Sequence, residues 1–138
     1  MQDKSSVIVV EHMLHKDAFS QWLGIEILEV KDGYCKIKMM VRQEMMNGLN
    51  VVHGGIAFSF ADSAFAFACN SRNNLSLAIE CNISFLKQVN VGDVLIAEAK
   101  EVHNGKNTGV YSINIVNQHD KQIALFKGTC FRTGKQLI

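Results

Sequence analysis

Between Asn47 and Asn70 the chain reads NGLNVVHGGIAFSFADSAFAFACN. From Gly54 onward this stretch has one favourable local structure. It is rich in Ala, the best helix former, and no breaker follows the two glycines. Its apolar residues, among them Ile56, Ala57, Phe58, Phe60, Ala61, Ala64, Phe65 and Phe67, do not form one stripe. They surround the axis, which is the signature of a helix enclosed by other elements. The spacing predicts a central helix over about residues 54–72. Whatever the remaining residues form must wrap around it.

One carboxylate, Asp62, interrupts the apolar run. A buried carboxylate without a partner is costly, so Asp62 needs either a counter-group or a chemical task. The helix start points to the task. The first N–H groups of a helix lack internal partners and lie at the positive end of its dipole. Gly54 and Gly55 would let a substrate group approach those donors closely. Donors placed this way can stabilise a developing oxyanion. Asn47 and His53 stand just before them as polar companions. Each feature alone has a plain structural reading: an entry turn, a capping His, an Asp paired with a distant Lys. Together, at this spacing, they point to a site.

Length and charge narrow the alternatives. The 138 residues carry 14 Lys and Arg against 13 Asp and Glu, which predicts one domain over residues 1–138 and argues against nucleic-acid binding through a large basic patch. Val7 to Val10 is too short an apolar run for a secretory signal, and Asp62 breaks the most apolar stretch, so neither export nor a membrane partner is expected. Cys35, Cys69, Cys81 and Cys130 are scattered, as in cytoplasmic proteins with reduced thiols. The five His show no metal-ligand spacing with Cys or carboxylates, so no metal is expected.

Around the helix the pattern is mostly strands. Ser6 to Leu23 reads as one or two short amphipathic helices with Phe19, Trp22 and Leu23 as the packing face, ended by Gly24. Ile25 to Lys31 and Tyr34 to Val41 alternate about the Asp32-Gly33 turn, with Cys35, Ile37 and Met39 on one side. After the helix come Leu77 to Phe85, Val94 to His103, Thr108 to Asn117 and Gln122 to Arg132. The first of these carries Leu77, Ile79, Cys81, Ile83 and Phe85 at period two; the third carries Tyr111, Ile113 and Ile115. Short turns between them predict a mainly antiparallel sheet. The expected class is α+β, a sheet wrapped around one long helix. Its open edges would be hidden by pairing with another copy.

This plan, the NG before HGG, the DSAFAFACN run, SFLKQVNVGD and GKNTGVYSINIVNQ followed by IALFKG resemble the hotdog-fold acyl-CoA thioesterases, and among them the phenylacetate-degradation, PaaI-like subgroup. The resemblance extends over nearly the whole chain. It implies hydrolysis of acyl-CoA thioesters to free acid and CoA, with (hydroxy)phenylacetyl-CoA or related aryl-acyl-CoA as substrate. It implies no cofactor, since CoA is part of the substrate. It further implies a homodimer, commonly a homotetramer, with each active site shared across the dimer interface. By position, the Gly54 N–H would polarise the thioester carbonyl. Asp62 of a neighbouring subunit would be nucleophile or general base. Asn47 and His53 would orient thioester and water.

Substrate contacts fall on Gly55, Phe85, Lys87 and Lys106, with Phe58 and Phe65 as further acyl-pocket candidates and Lys127 and Arg132 as further phosphate candidates. Two departures stand out. Ala78 occupies a position where some relatives have a water-holding Ser, and Gln88 stands where many have Pro. The superfamily's hydratase signature contains Asn-Pro, and this chain has no Pro. The alternatives are a medium- or long-chain fatty acyl-CoA thioesterase and a non-catalytic acyl-CoA-binding module.

Overall fold

The computed structural model describes residues 4–138. Two helices, α1 (Lys4–Lys16) and α2 (Ala18–Leu23), precede the hairpin β1 (Glu26–Lys31) and β2 (Tyr34–Met40). A 3-10 turn (Gln43–Met45) leads to the long helix α3 (Gly54–Asn70), and four strands come after it: β3 (Ser76–Phe85), β4 (Val94–Asn104), β5 (Thr108–Val116) and β6 (Gln122–Arg132). All six strands form one sheet in the order β1-β2-β4-β5-β6-β3. Every neighbouring pair is antiparallel.

The sheet curls around α3, which touches β2, β3, β4, β5 and β6. The inward faces are the expected ones: Cys35, Ile37 and Met39 from β2, and Tyr111, Ile113 and Ile115 from β5, are all buried. Against them lie Phe60, Ala61, Ala64, Phe65, Phe67 and Ala68 of α3. Gly128 of β6 lies tight against the helix: a Cβ there would stand 2.8 Å from ring carbons of Phe65. Gly128→Ala forces that ring to shift. We expect a loss of about 1–3 kcal/mol, readable as a lower urea midpoint with an unchanged slope.

Several strand residues do not keep strict alternation, and bulges are the reason. Register slips at Leu28, at Ile79 and at Val102. Each bulge inserts a residue, bends the strand and reverses the inward–outward phase of the residues beyond it. On β1 the inward set therefore passes from Ile25 and Ile27 to Val30, and Leu28 is exposed. On β3 the expected single face from Leu77 to Phe85 is split. Leu77 pairs with exposed Phe131, whereas Ala78, Cys81 and Ile83 oppose the buried Cys130, Gly128 and Phe126. The bends let a six-stranded sheet wrap a helix.

The N-terminal packing face also differs from expectation. Leu23 is buried, but Phe19 and Trp22 are exposed and stack on one another at 6.0 Å. Arg42 lies over the Trp22 ring and donates to the Trp22 and Leu23 carbonyls at 2.6 and 3.1 Å. Its cation satisfies the C-terminal end of α2. Val9 and Val10 of α1 supply the buried apolar surface instead.

Arg132, a candidate for phosphate binding by sequence, is a core residue. Its guanidinium donates to the Cys69 carbonyl (3.1 Å), Ser76 Oγ (3.2 Å), Asn104 Oδ1 (2.8 Å) and Tyr111 Oη (3.0 Å). Tyr111 in turn donates to Glu101 at 2.8 Å, and Glu101 pairs with Arg72. This network ties the end of α3 to β3, β4, β5 and β6.

Candidate active site

The approach to α3 is a small closed loop. Asn47 N–H donates to the Val51 carbonyl at 2.7 Å, and its side-chain oxygen accepts from Leu49 N–H (2.9 Å) and Val51 N–H (3.1 Å). Asn47 thus holds the loop that aims the start of the helix, with the backbone of Leu49 and Val51 as partners. His53 is the N-cap of α3; its Nδ1 accepts from Gly55 N–H at 2.8 Å. A Cβ on Gly55 would fall 2.9 Å from that nitrogen, so only glycine leaves the imidazole in its capping position. The Ile56 N–H donates to the His53 carbonyl. Among the described residues no hydrogen bond engages the N–H of Gly54, which is exposed. The helix start therefore presents one uncommitted donor, as an oxyanion requires.

That donor borders a cavity of about 430 Å³. Val51, Val52, His53, Gly54, Ile56 and Ala57 form one wall, and Phe85, Leu86, Lys87, Gln88 and Val89 the other. Leu95 and Ile123 form its apolar floor. The Phe85 ring edge lies 3.4 Å from where a Gly54 Cβ would stand. The loop after β3 is anchored because both Leu86 and Lys87 N–H donate to the Ile123 carbonyl. Of the residues singled out by sequence, the cavity unites His53, Gly54, Phe85 and Lys87. Gln88 lines it at the position where many relatives have Pro. Val51, Val89 and Ile123 were missed; as isolated apolar residues near turns they carry no signal beyond core propensity.

Other candidates lie apart. Lys106 sits in the β4–β5 turn, beside the start of β5 that pairs with Phe131. Phe85 pairs with Ala124, at the other end of β6. Phe65 is buried against Tyr111 and Phe126, and Phe58 packs edge-on to Phe126 at 5.2 Å. Lys127 is exposed on the outer face of the sheet, in a groove with Val102 and Leu125.

Asp62 stands eight residues beyond Gly54, about 12 Å along the axis at 1.5 Å per residue. One thioester carbonyl cannot meet both within a single chain. The helix is not sealed at this level: Phe58, Ser59, Asp62 and Ala66 are only half-buried, a stripe at helical spacing. Burial, and secondarily the like charge of Asp17, push the Asp62 carboxyl above its usual range. Cys81 of β3 faces the same carboxylate, and burial pushes its thiol up to about 11.

Residues 49–124 match the thioesterase superfamily. The chain belongs to that superfamily. It is 46% identical to the acyl-coenzyme A thioesterase PaaI of Escherichia coli over 122 residues, covering 88% of this chain and 87% of that protein. The structure of the E. coli PaaI protein from the phenylacetic acid degradation operon superposes with a TM-score of 0.95 over 99% of both chains, at 41% identity. A hypothetical thioesterase from Streptococcus pneumoniae, solved with coenzyme A, superposes at 0.85 over 91% of this chain and 98% of its own, at 27% identity. The superfamily match and the PaaI superposition identify the sheet-wrapped helix as the hotdog fold. Among the described residues, no helix is long and apolar enough to cross a membrane.

Proposed function

We propose that this chain hydrolyses acyl-CoA thioesters to the free acid and CoA, with aryl-acetyl-CoA esters as preferred substrates. The observation that carries the reading is the free Gly54 N–H at the mouth of an apolar cavity, with a carboxylate on the same helix at a distance only another copy could bridge. The likeness to PaaI supports the substrate class. A homodimer formed along the open β3 edge would bring the partner's half-open Asp62 stripe to the Gly54 donor. A homotetramer would then pair two such dimers.

The chemistry needs little else. A thioester carbonyl has weak resonance stabilisation, so a carboxylate or a water activated by one can attack it. The Gly54 N–H would take the charge that develops on the carbonyl oxygen. Asp62 would act as nucleophile or as general base. Collapse breaks the C–S bond, and the thiolate takes the proton that Asp62 drew from water, leaving the free acid; where Asp62 itself attacks, water then hydrolyses the mixed anhydride, giving the acid and returning the carboxylate. Phe85 would meet an aromatic acyl group, and Lys87 at the rim would meet CoA phosphates. Gly55 contributes by holding His53 in place. Lys106 would join the site only across a subunit boundary.

Release of CoA thiol from phenylacetyl-, hydroxyphenylacetyl-, octanoyl- and palmitoyl-CoA tests the proposal. Highest kcat/KM on the aryl esters is expected. Preference for the fatty acyl esters would move the assignment to that substrate class, and binding of esters without turnover would make the chain a binding module. Light scattering at assay concentration should show at least a dimer; an active monomer would end the shared-site reading. Asn47→Ala and His53→Ala should lower turnover by no more than about a hundred- to a thousandfold, the effect of losing an oxyanion donor itself. His53→Ala also removes a helix cap, so its melting should reflect a loss of about 1 kcal/mol. Wild-type rates in both variants would leave the two residues a purely structural role.

A further inference from the structure

The superfamily match begins at residue 49, so α1 and α2 lie outside it, yet both touch α3, and α2 meets it at Ser63, next to Asp62. Asp17 caps α2: its Oδ1 accepts from the Ser20 N–H at 2.9 Å and its Oδ2 from the Ser20 hydroxyl at 2.5 Å. The Ser20 hydroxyl also shares a 2.8 Å hydrogen bond with that of Ser63, the residue after Asp62. Ser20 and Ser63 are both buried, at 1% and 8% exposure. Hydroxyls placed in an otherwise apolar helix contact are costly unless bonded. Here they form a chain from Ser63 through Ser20 to Asp17. That chain locks the Asp17 carboxylate against the flank of α3, on the α2 side of the half-open stripe.

We propose that Asp17 is a positioning residue of the site, a carboxylate that the N-terminal segment fixes on the flank of α3, through Ser20 and Ser63, to act on the reaction through Asp62. This rests on the reading of Asp62 as the reacting carboxylate. Among the described residues, the other titratable groups facing Asp62 are thiols: Cys81 from β3 and Cys69 further along α3. Burial holds the Cys81 thiol up, and the hydrogen bond with Cys130 together with burial holds the Cys69 thiol up. Both are therefore neutral where a carboxyl titrates. Like charge disfavours the ionised form of its neighbour, so the anion that survives at neutral pH binds a proton more avidly. For a group that must take a proton from water, that is a gain in basicity.

The test separates charge from capping. Asn and Ser are N-caps comparable with Asp, so Asp17→Asn and Asp17→Ser keep an acceptor for the helix start and remove the charge together with the second oxygen that accepts from the Ser20 hydroxyl. The 13Cγ resonance of Asp62, assigned by its loss in Asp62→Asn, reads the carboxyl directly in aspartate-labelled full-length protein. In both neutral variants its titration midpoint should move to lower pH, and Asp17→Glu should return it toward wild type. In turnover of phenylacetyl-CoA the two profiles should cross. The neutral variants gain on wild type as pH falls, because more Asp62 is ionised, and lose at high pH, where only basicity differs. Superimposable Asp62 titrations in wild type and the neutral variants would overturn the proposal. The resonance titrates whether or not any CoA ester is hydrolysed, so failure of the hydrolase reading shows separately, in the assay alone.

Discussion

Asp62→Asn should reduce turnover by at least about a hundredfold, the low end for removal of a general base, and leave the protein folded. The substitution keeps size and hydrogen bonding and removes basic and nucleophilic character. Its effect on stability has a definite sign. Burial, then Asp17, raise the Asp62 carboxyl in the folded state. Between its unfolded and folded values the native chain holds more protons than the unfolded one, so stability falls as pH rises through that window. Above it the ionised, partly buried carboxylate is a standing penalty, which Asn removes. The variant should therefore melt no lower than wild type at neutral pH and lose its advantage in acid. For the active protein, the acid limb of the rate profile should lie above the ordinary carboxylate range. Steady-state kinetics, a melting curve and CoA-ester binding together decide the matter. A variant that binds, stays folded and turns over near the wild-type rate removes Asp62 from the chemistry.

Arg132→Leu should be the most damaging single change to stability among those considered. It deletes the cation that satisfies the Cys69 carbonyl, Ser76, Asn104 and Tyr111, all converging near the end of α3. It also leaves Glu101, 3.9 Å away, with Arg72 as its remaining partner. Breaking a buried ion pair costs about 3–5 kcal/mol, and the retained Arg72 contact places this variant near 3. For a chain of this length that is a fall of roughly 10 °C in Tm. Measurement at matched protein concentration is needed, because association shifts Tm by mass action. A Tm within 2–3 °C of wild type, roughly the shift expected from about 1 kcal/mol, would show that the network is dispensable.

The two residues differ in how far they could be read beforehand. Asp62 announces itself as a lone charge in an apolar helix. Arg132 looks like one more basic residue at a strand end, and sequence reasoning placed it among phosphate contacts. What buries it is the bulged pairing of β3 with β6 and the closing of the sheet over α3, both set by residues more than fifty positions away.

Local pattern by itself determined the enclosed helix, the glycine entry with His53 before it, and the inward faces of β2 and β5. Those features depend on propensity and on periods of 3.6 and two, which adjacent residues carry. Tertiary structure alone decided where the strands bulge, and so why Val30 rather than Glu29 points inward and why Leu77 and Cys81 part company. It also decided that Phe85 covers Gly54, that Lys106 stands at the far end of the sheet, and that Ser20 meets Ser63 across 43 positions. A bulge or a hydroxyl contact is worth its cost only when a distant segment packs against it, and no local period records that partner.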